Sequence, residues 1–325
     1  MKAIMTITEQ LQAIVGNRVK EDEPMSKHTN FRIGGPAKWF VEIKSVEELQ
    51  QILKIAQAQN VSTFVFGGGS NLLVDDSGFN GIVIKIAMRD MKINGTRVYA
   101  QAGVLSAALA RAAAKAGLAG FTWAISLPGT IGGAVRGNAG CFGGETKDFL
   151  VEVEVLRASH MVTMSKDQLA FGYRDSAIKH STDIVLSATF EFPVGDPVRL
   201  VKELDEKLAA RKSSQPLDAG SAGCLFKNYE ISSDDELQRL KEKLDIPLEV
   251  STTRRLSAGW LIDQLDLKGM QIGGAKISNQ HGNFVVNTGS ATADDVMQLV
   301  ALIKTRARNS FGIQLEEEVF FLTSV

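Results

Sequence analysis

Apolar residues recur at helical spacing in several stretches of the chain, and polar residues mark where these helices begin. Ser45 and Glu48 have the spacing of a capping box, and the apolar residues after them share one face of a helix that ends near Asn60. Ser106 opens an alanine-rich helix that Gly117 would terminate. The same periodicity predicts helices over residues 198–212, 234–244 and 292–309, and one that begins at Ser257.

Shorter apolar stretches are typical of β-strands. Residues 61–66 form an apolar run that leads into a glycine-rich loop, which favours a buried strand. Further strands are predicted at residues 82–86, 97–100, 151–157, 183–192, 283–287 and 314–322. Because strands and helices follow one another without regular alternation, the predicted fold class is α+β rather than a doubly wound parallel sheet.

Composition and charge narrow the classes of function. The 325 residues are 44% hydrophobic and 22% charged, which is typical of a globular protein. The formal net charge is −1, so the chain lacks the excess of positive charge that is typical of nucleic-acid-binding proteins. The chain has no apolar run long enough to span a bilayer, no recognisable signal peptide and only two cysteines. We therefore expect a cytoplasmic protein with a small-molecule partner and neither a nucleic-acid nor a membrane partner.

Two glycine-rich stretches are candidates for binding a phosphate group. Residues 67–71, Gly-Gly-Gly-Ser-Asn, follow the predicted buried strand, and residues 127–144 have the same chemistry over a longer path. Glycine lets consecutive backbone N–H groups converge on an anion. One such loop is more often an ordinary turn, but two favour a large cofactor with a diphosphate. The dinucleotide-binding fingerprint is absent because Leu72 occupies the position of its third glycine.

The stretch 217–228, LDAGSAGCLFKN, places a cysteine in a polar loop. Cys224 is followed closely by Lys227 and Asn228. A thiol can donate a proton, and the lysine and asparagine can hold an anion and a polar group at a fixed separation. The alternative is a small core residue, which is the commoner role of a free cysteine.

Other polar residues have both a functional and an ordinary interpretation. Arg174, next to Tyr173, can stabilise an oxyanion or form a surface ion pair. Glu316 and Glu318 would point the same way in a strand, so that one reaches a cleft, or they form a solvated acidic face. His281 is either a substrate contact or a surface histidine. No grouping has the spacing of metal ligands, so we predict no metal.

The motifs between residues 28 and 322, taken in order, resemble the UDP-N-acetylenolpyruvoylglucosamine reductase family. They are HTNFRIGGPA from His28, FGGGSNLL from Phe66, LPGTIGGAV from Leu127, Asn138-Ala139-Gly140, Tyr173-Arg174, the Cys224 loop, AGWLIDQLDLKGMQIGGA from Ala258, NFVVNTGSATADDV from Asn283 and LEEEV from Leu315. The short path from Arg174 to Asp183 resembles the variant that lacks an extra tyrosine-containing loop.

The resemblance implies an α+β fold in which two α+β subdomains of the vanillyl-alcohol-oxidase (PCMH-like) flavin fold bind FAD. A smaller α+β domain would bind the substrate. The expected divisions are an N-terminal segment at 1–20, an FAD-binding domain at 21–197 with subdomains at about 21–85 and 86–197, and a substrate-binding domain at 198–325.

The resemblance also implies the reaction. NADPH would reduce FAD, and flavin N5 would pass hydride to C3 of the enolpyruvyl group of UDP-N-acetylglucosamine enolpyruvate. A proton delivered to C2 would complete UDP-N-acetylmuramate for peptidoglycan synthesis.

We expect the protein to be a monomer. Two alternatives stay open, namely another FAD oxidoreductase of this fold, such as a sugar or lactone oxidase, and a catalytically inactive nucleotide-sugar-binding protein.

Site residues follow from the positions that match the family motifs. The implied catalytic residues are Arg174, Cys224 and Glu318. The implied cofactor-binding residues are Phe66, Gly67, Gly68, Gly69, Ser70, Asn71, Leu72, Pro128, Gly129, Thr130, Gly132, Gly133, Asn138, Ala139 and Gly140. The implied substrate-binding residues are Tyr173, Arg211, Lys227, Asn228, Lys276 and His281.

Cys224 is the main departure from the family pattern, in which the proton donor is usually a serine. A free thiol has a pKa of about 8.5, far below that of a serine hydroxyl. We expect Arg174 and Lys227 to favour the thiolate, which cannot donate a proton. The sequence therefore predicts that Cys224 sets the alkaline limit of the reaction.

Overall fold

The structure, a computed structural model, describes residues 5–216 and 218–323. The beginning of the predicted N-terminal segment, residues 1–4, lies outside the described residues. So do Leu217, with which the Cys224 stretch opens, and residues 324–325.

Helices and strands are mixed along the described chain, which confirms the predicted α+β class. The α-helices are α1 (Ile7–Val15), α2 (Val46–Ala58), α3 (Ser106–Lys115), α4 (Ile131–Arg136), α5 (Pro197–Ser214), α6 (Asp234–Lys241), α7 (Val250–Thr253), α8 (Ala258–Asp263) and α9 (Ala293–Phe311).

The strands are mostly short. They are β1 (Val19–Pro24), β2 (Pro36–Ile43), β3 (Thr63–Phe66), β4 (Leu72–Val74), β5 (Phe79–Ile86), β6 (Met91–Asn94), β7 (Arg97–Gln101), β8 (Gly140–Cys141), β9 (Gly144–Glu145), β10 (Leu150–Arg157), β11 (His160–Ser165), β12 (Ile184–Glu191), β13 (Tyr229–Glu230), β14 (Arg255–Leu256), β15 (Gln271–Ile272), β16 (Ala275–Ile277), β17 (Val285–Asn287) and β18 (Phe320–Leu322).

Two larger sheets form the N-terminal part of the molecule. One has the strand order β1-β2-β5-β3, in which β5 runs parallel to both β2 and β3. The other is antiparallel with the order β11-β10-β12-β7-β6. A three-stranded antiparallel sheet, β15-β16-β17, lies in the C-terminal part. The described part of the chain therefore contains one mixed and two antiparallel sheets of three or more strands.

The largest hydrophobic cluster is shared by both sheets of the N-terminal part. Ile43 and Ile84 of the first sheet pack in the same cluster as Val153 of the second. Leu11 of α1 and Leu204 of α5 also belong to this cluster. The apolar face of α5 is therefore buried against the N-terminal core, although the helix follows the predicted boundary at residue 197.

A second cluster fills the C-terminal part, and the chain then returns to the N-terminal part. Phe226, Leu261 and Val296 are central members of the second cluster. The last strand, β18, pairs in parallel with β4, and Leu322 packs in a third, small cluster with Leu72. The C-terminal strand therefore lies beside the strand that directly follows the first glycine-rich loop.

Three details differ from the sequence-based predictions. Ser45 caps α2 through the Glu48 N–H, but the Glu48 carboxylate accepts from the Lys44 N–H and from Arg18, so the reciprocal bond of a capping box is replaced. The stretch 127–144 is not all loop, because α4 forms within it. The predicted strand 314–322 is regular only in β18, since the residues before it pair through a single isolated bridge.

Among the described residues, no helix combines the length and the apolar character needed to cross a membrane.

Candidate active site

A cavity of about 260 Å³ lies against the first glycine-rich loop. It is lined by Lys27, His28, Thr29, Asn30, Gly67, Gly68, Lys85, Ile86, Arg89, Gly103, Leu105 and Thr130. The lining brings together backbone of the first loop, one residue of the second loop and three cationic side chains. Its chemistry is that of an anion-binding site.

The two glycine-rich loops touch each other at this cavity. A Cβ atom on Gly68 would lie 2.8 Å from the Gly129 Cα atom, and one on Gly67 would collide with the Thr130 hydroxyl. Gly69 has a φ angle of +63°, and a Cβ atom there would collide with the His28 carbonyl. Glycine is therefore required here by close packing between loops as well as by backbone conformation.

The residues around the cavity fit a bound diphosphate. The Thr130 hydroxyl is buried, and within the described part of the chain it has no hydrogen-bond partner. A buried hydroxyl without a partner is costly unless a ligand or water satisfies it. Lys27, Lys85 and Arg89 supply positive charge at the same cavity.

Other residues predicted to bind the cofactor have structural partners. Phe66 and Leu72 are buried in the small third cluster. The Ser70 hydroxyl donates to the Pro128 carbonyl at 3.2 Å. Asn71 donates to the Glu318 carbonyl at 2.9 Å, so it ties the first loop to a predicted catalytic residue.

The predicted cofactor residues Asn138, Ala139 and Gly140 brace the second loop from within. The fully buried Asn138 amide donates to the Gly172 carbonyl at 2.8 Å and to Glu145 at 3.0 Å. The Ala139 carbonyl accepts from the Thr146 hydroxyl at 2.9 Å. The Gly140 carbonyl accepts from the Arg174 guanidinium at 2.7 Å. This segment therefore orients Arg174, while Gly132 and Gly133 lie inside α4.

Arg174 is held in an unusual backbone conformation. Its φ angle is +55°, which costs a non-glycine residue about 1–2 kcal/mol. Its side chain forms an ion pair with Glu318, with Nε and Oε1 separated by 3.0 Å. The Lys179 ammonium donates to the Arg174 carbonyl at 2.9 Å. A strained residue held by several partners is typical of a functional site.

The Cys224 loop lies beside the segment that carries Glu318. The Glu318 N–H donates to the Leu225 carbonyl at 2.8 Å, and the Lys227 N–H donates to the Glu316 carbonyl at 2.9 Å. On its other side, Cys224 forms an isolated β-bridge with Phe284. The thiol and the Glu318 carboxylate are therefore brought together by backbone hydrogen bonds between segments distant in sequence.

Asn283 fixes the same loop from the C-terminal part. Its side-chain oxygen accepts from the Phe226 N–H at 2.9 Å, and its side-chain nitrogen donates to the Phe226 carbonyl at 2.8 Å. The Asn283 carbonyl accepts from the Leu225 N–H at 2.8 Å. Asn283 is buried, so these bonds hold the loop in one position.

The electrostatic surroundings keep the Cys224 thiol protonated. Burial, together with the neighbouring Glu318, raises its pKa to about 12, although Arg174 and Arg211 oppose the rise. The predicted thiolate is therefore wrong, because burial and the adjacent carboxylate outweigh the cations. Burial also raises the pKa of Glu318, although Arg174 lowers it in part. Cys224 therefore holds a proton beside a carboxylate whose own pKa is raised.

Several further cations converge on this centre. Arg211, in the last turn of α5, interacts with the thiols of both Cys141 and Cys224, and burial lowers its pKa. Lys227 forms an ion pair with Glu316 at 3.1 Å. Lys179 interacts with both Lys227 and Glu318. The excess of positive charge suits an anionic ligand.

Tyr173 joins the two halves of the site. Its ring lies 3.9 Å from the Arg255 guanidinium carbon and 5.0 Å from that of Arg174. Its hydroxyl accepts from the Asn228 N–H at 3.3 Å. The Asn228 side-chain oxygen in turn accepts from the Ala258 N–H, at the start of α8.

Comparison with known proteins decides the family. Residues 215–322 match the model of the UDP-N-acetylenolpyruvoylglucosamine reductase C-terminal domain, and residues 37–163 match that of the FAD binding domain. The chain is 39% identical over 316 residues to the reductase of that name from Synechococcus sp. (strain JA-3-3Ab), covering 96% of this chain and 94% of the relative. It is 36% identical over 307 residues to that from Clostridioides difficile (strain 630), covering 94% and 93%.

The chain belongs to the UDP-N-acetylenolpyruvoylglucosamine reductase family.

A solved structure of this reductase family supports the fold. The crystal structure of UDP-N-acetylenolpyruvylglucosamine reductase (MurB) from Thermus caldophilus aligns with a TM-score of 0.74 and 33% sequence identity. The alignment covers 94% of this chain and 99% of the Thermus chain. The predicted FAD-binding PCMH-like fold and the predicted FAD cofactor are confirmed, and the chain is an FAD-containing oxidoreductase of the reductase family.

The predicted substrate residues Lys276 and His281 have other direct partners than Arg174 among the described residues. Lys276 lies in the middle strand of the three-stranded sheet, opposite Gln271 and Val286. The His281 ring packs against Phe284, and burial lowers its pKa. The His281 Nδ1 atom accepts from the Asn283 N–H at 3.2 Å, so it contacts the residue that fixes the Cys224 loop.

Glu316 and Glu318 have different surroundings. Glu318 is largely enclosed and pairs with Arg174, whereas the Glu316 side chain is 73% exposed. That the two side chains point the same way stays a prediction.

Sequence reasoning missed Lys179, Asn283 and the cationic side chains of the cavity. Lys179 lies outside the family motifs and acts through a backbone contact. Asn283 begins a family motif, but the sequence does not show that its side chain bonds the Phe226 backbone. His28 opens a family motif, and that motif was the available signal for the cavity rim. Within the described chain, no group of three or more histidine, cysteine, aspartate or glutamate side chains is arranged to hold a metal ion.

Proposed function

We propose that this chain reduces the enolpyruvyl ether of UDP-N-acetylenolpyruvoylglucosamine to UDP-N-acetylmuramate, a step in peptidoglycan precursor synthesis. The observation that carries the proposal is the ion pair of Arg174 and Glu318 beside the protonated thiol of Cys224. Asn71 connects this centre to the loop that lines the cationic cavity.

FAD has a suitable site between the glycine-rich loops. Gly67, Gly68 and Thr130 would hold its diphosphate, with Lys85 and Arg89 balancing the negative charge. When bound, FAD supplies the redox chemistry by taking a hydride from NADPH and passing it to the enolpyruvyl C3. The role of the chain is then to bind and orient the substrate, to stabilise the negative charge that develops on it and to supply a proton.

Arg174 and Glu318 act on the charge that develops. Addition at C3 leaves negative charge on C2 and on the attached carboxylate, and the Arg174 guanidinium stabilises it. The Arg174 side chain is already fixed by Glu318 and by the Gly140 carbonyl, so little reorganisation is needed. Burial raises the pKa of Glu318, although Arg174 lowers it in part, so its carboxyl group takes up a proton more readily than an exposed glutamate does.

Cys224 delivers the proton to C2. The S–H bond breaks as the C2–H bond forms, and the thiolate left behind takes a proton from water. Arg174 and Arg211 interact favourably with that thiolate, which lowers the barrier to donation. General acid catalysis of this kind contributes about 10²- to 10⁴-fold to the rate.

The nucleotide-sugar diphosphate would bind the surrounding cations. Arg211 and Lys227 carry the charge, while Tyr173 and Asn228 supply polar contacts along the same wall. Lys276 and His281 are not assigned to this role. We also propose NADPH as the electron donor and a cytoplasmic monomer, for which the two free thiols are suited to a reducing compartment.

An anaerobic experiment tests the proposal. The purified protein should be yellow, should be bleached by NADPH and should regain its colour when the enolpyruvyl nucleotide sugar is added without oxygen. Colour that returns only with oxygen would point to an oxidase. A colourless protein that binds the nucleotide sugar would point to an inactive binding protein.

A further inference from the structure

Lys179 closes the tight turn that carries Arg174. Residues 172–175 form the turn, in which the Gly172 N–H donates to the Asp175 carbonyl at 3.1 Å. Lys179 lies five positions after Arg174, and its ammonium folds back to donate to the Arg174 carbonyl at 2.9 Å. The side chain therefore bonds the backbone of the one residue in this turn that has a positive φ angle.

The guanidinium and the backbone of Arg174 are held by different partners. Gly140 and Glu318 bind the guanidinium, and Lys179 binds the carbonyl. Lys179 is itself anchored, because its own carbonyl accepts from the Arg136 guanidinium at 3.3 Å. Removing the ammonium would free the peptide unit that aims the Arg174 side chain.

Four charged groups from different segments of the chain interact with Lys179. Lys227 faces it from the Cys224 loop, Arg136 from α4, Glu318 from the C-terminal segment and Asp175 from its own turn. The two carboxylates are already engaged, Glu318 with Arg174 and Asp175 with His180. Lys179 is half-buried, and among the residues that the structure describes it forms no ion pair with a carboxylate, an arrangement that a bound anion would relieve.

We propose that Lys179 is a positioning residue for the reduction, acting through the Arg174 carbonyl to hold the guanidinium where the substrate carboxylate binds. The inference rests on the proposed function, since it concerns the same site. A charged donor forms a hydrogen bond roughly twice as strong as a neutral one. Lys179 therefore holds the Arg174 carbonyl effectively only when its side chain is protonated.

The pH dependence follows from this requirement. Burial lowers the pKa of Lys179, and Lys227 and Arg136 lower it further. A group that must be protonated supports activity below its pKa, and activity falls as the pH rises through that value. Because the pKa of Cys224 is raised to about 12, the alkaline limb of kcat/KM belongs to Lys179 and not to the thiol.

Three variants of the FAD-loaded protein test the proposal, with NADPH and the enolpyruvyl nucleotide sugar as substrates. Lys179→Met should lower kcat/KM by about 10- to 100-fold, as expected for the loss of one charged hydrogen bond. Lys179→Arg should retain activity and move the alkaline limb to higher pH, because guanidinium does not titrate in this range. Lys54→Met, at an exposed position of α2, is the matched control and should behave as wild type.

The readouts separate positioning from folding and from the proposed function. Thermal unfolding and flavin content show whether each variant is intact. An alkaline limb that stays in place in intact Lys179→Arg overturns the inference, and so does Lys179→Met with wild-type kcat/KM. If Lys179→Met does not fold, the Lys179→Arg profile alone decides. A wild-type protein that never reduces the nucleotide sugar would instead overturn the proposed function.

Discussion

The family resemblance leads us to expect a serine at position 224, and the surroundings of Cys224 determine what a thiol does there instead. The thiol is enclosed beside Glu318, which together with burial raises its pKa to about 12. A thiol in this environment resembles a hydroxyl in staying protonated throughout the neutral range. The chemical difference from serine is therefore smaller than the pKa of a free cysteine indicates.

The alkaline limb of activity provides a test of that conclusion. Cys224→Ser should leave the limb of the kcat/KM profile where it is in wild type, because the pKa of the thiol is raised to about 12 and a serine hydroxyl is a still weaker acid. The measurement is steady-state turnover from pH 6 to about pH 10. A limb that disappears in Cys224→Ser would mean that the thiol titrates there and that its environment has been misassigned.

At the scale of residues, the sequence predicted best those site residues that lie in recognisable motifs. Arg174, Cys224, Glu318 and Arg211 lie together in the structure as one charged group. Lys179 could not be predicted, because its contact depends on a turn with a positive φ angle. The protonation state of Cys224 depends on burial, which cannot be inferred from the charged residues around it.

At the scale of elements, the contact between the two glycine-rich loops is the feature on which FAD binding depends. Gly68 approaches Gly129 so closely that a methyl group would force the backbones apart. The same separation would move Thr130 away from the cavity that it lines. Substitution in this contact should therefore affect both stability and cofactor content.

Gly68→Ala should lower the free energy of unfolding by roughly 1–3 kcal/mol, as overpacking does, and reduce the flavin bound per chain. Gly137→Ala is the matched control, because its Cβ atom would lie 3.6 Å from the Gly133 carbonyl and its φ angle is −100°. Flavin absorbance and thermal unfolding measure the two effects. Full flavin content with unchanged stability in Gly68→Ala would show that the loops do not need this contact.

The elements with clear end signals were predictable, and those without them were not. Ser257 and Thr292 were predicted to begin helices, and each caps one. The short helix α4 was interpreted as loop because two of its six residues are glycine, and glycine disfavours helix in the absence of tertiary packing. The burial of Ile131 and Val135 in the main cluster supplies that packing.

At the scale of the whole molecule, the return of the chain to the first loop joins the two parts. Strand β18 lies beside β4, and Asn71 between the loop and β4 bonds the Glu318 carbonyl. The predicted boundary at residue 197 stays a prediction, and it does not describe this connection. Local patterns could not reveal it, because the partner strands are about 250 residues apart and only three residues long.

Leu322→Ala should destabilise the protein by about 2–5 kcal/mol, since it leaves a cavity in the small cluster below the first loop. Leu248→Ala removes the same atoms from a leucine that is 90% exposed and should change stability by less than about 0.5 kcal/mol. Chemical denaturation measures both. Equal stabilities of the two variants would mean that the C-terminal strand contributes little to the fold.

The central claim is that one chain holds an FAD site and, next to it, a proton donor that serves only the nucleotide-sugar half-reaction. Anaerobic stopped-flow measurement of both half-reactions in Cys224→Ala tests this claim most directly. Bleaching by NADPH should proceed at the wild-type rate, whereas re-oxidation by the enolpyruvyl nucleotide sugar should slow by about 10²-fold or more. Equal re-oxidation rates in the variant and in wild type would contradict the account.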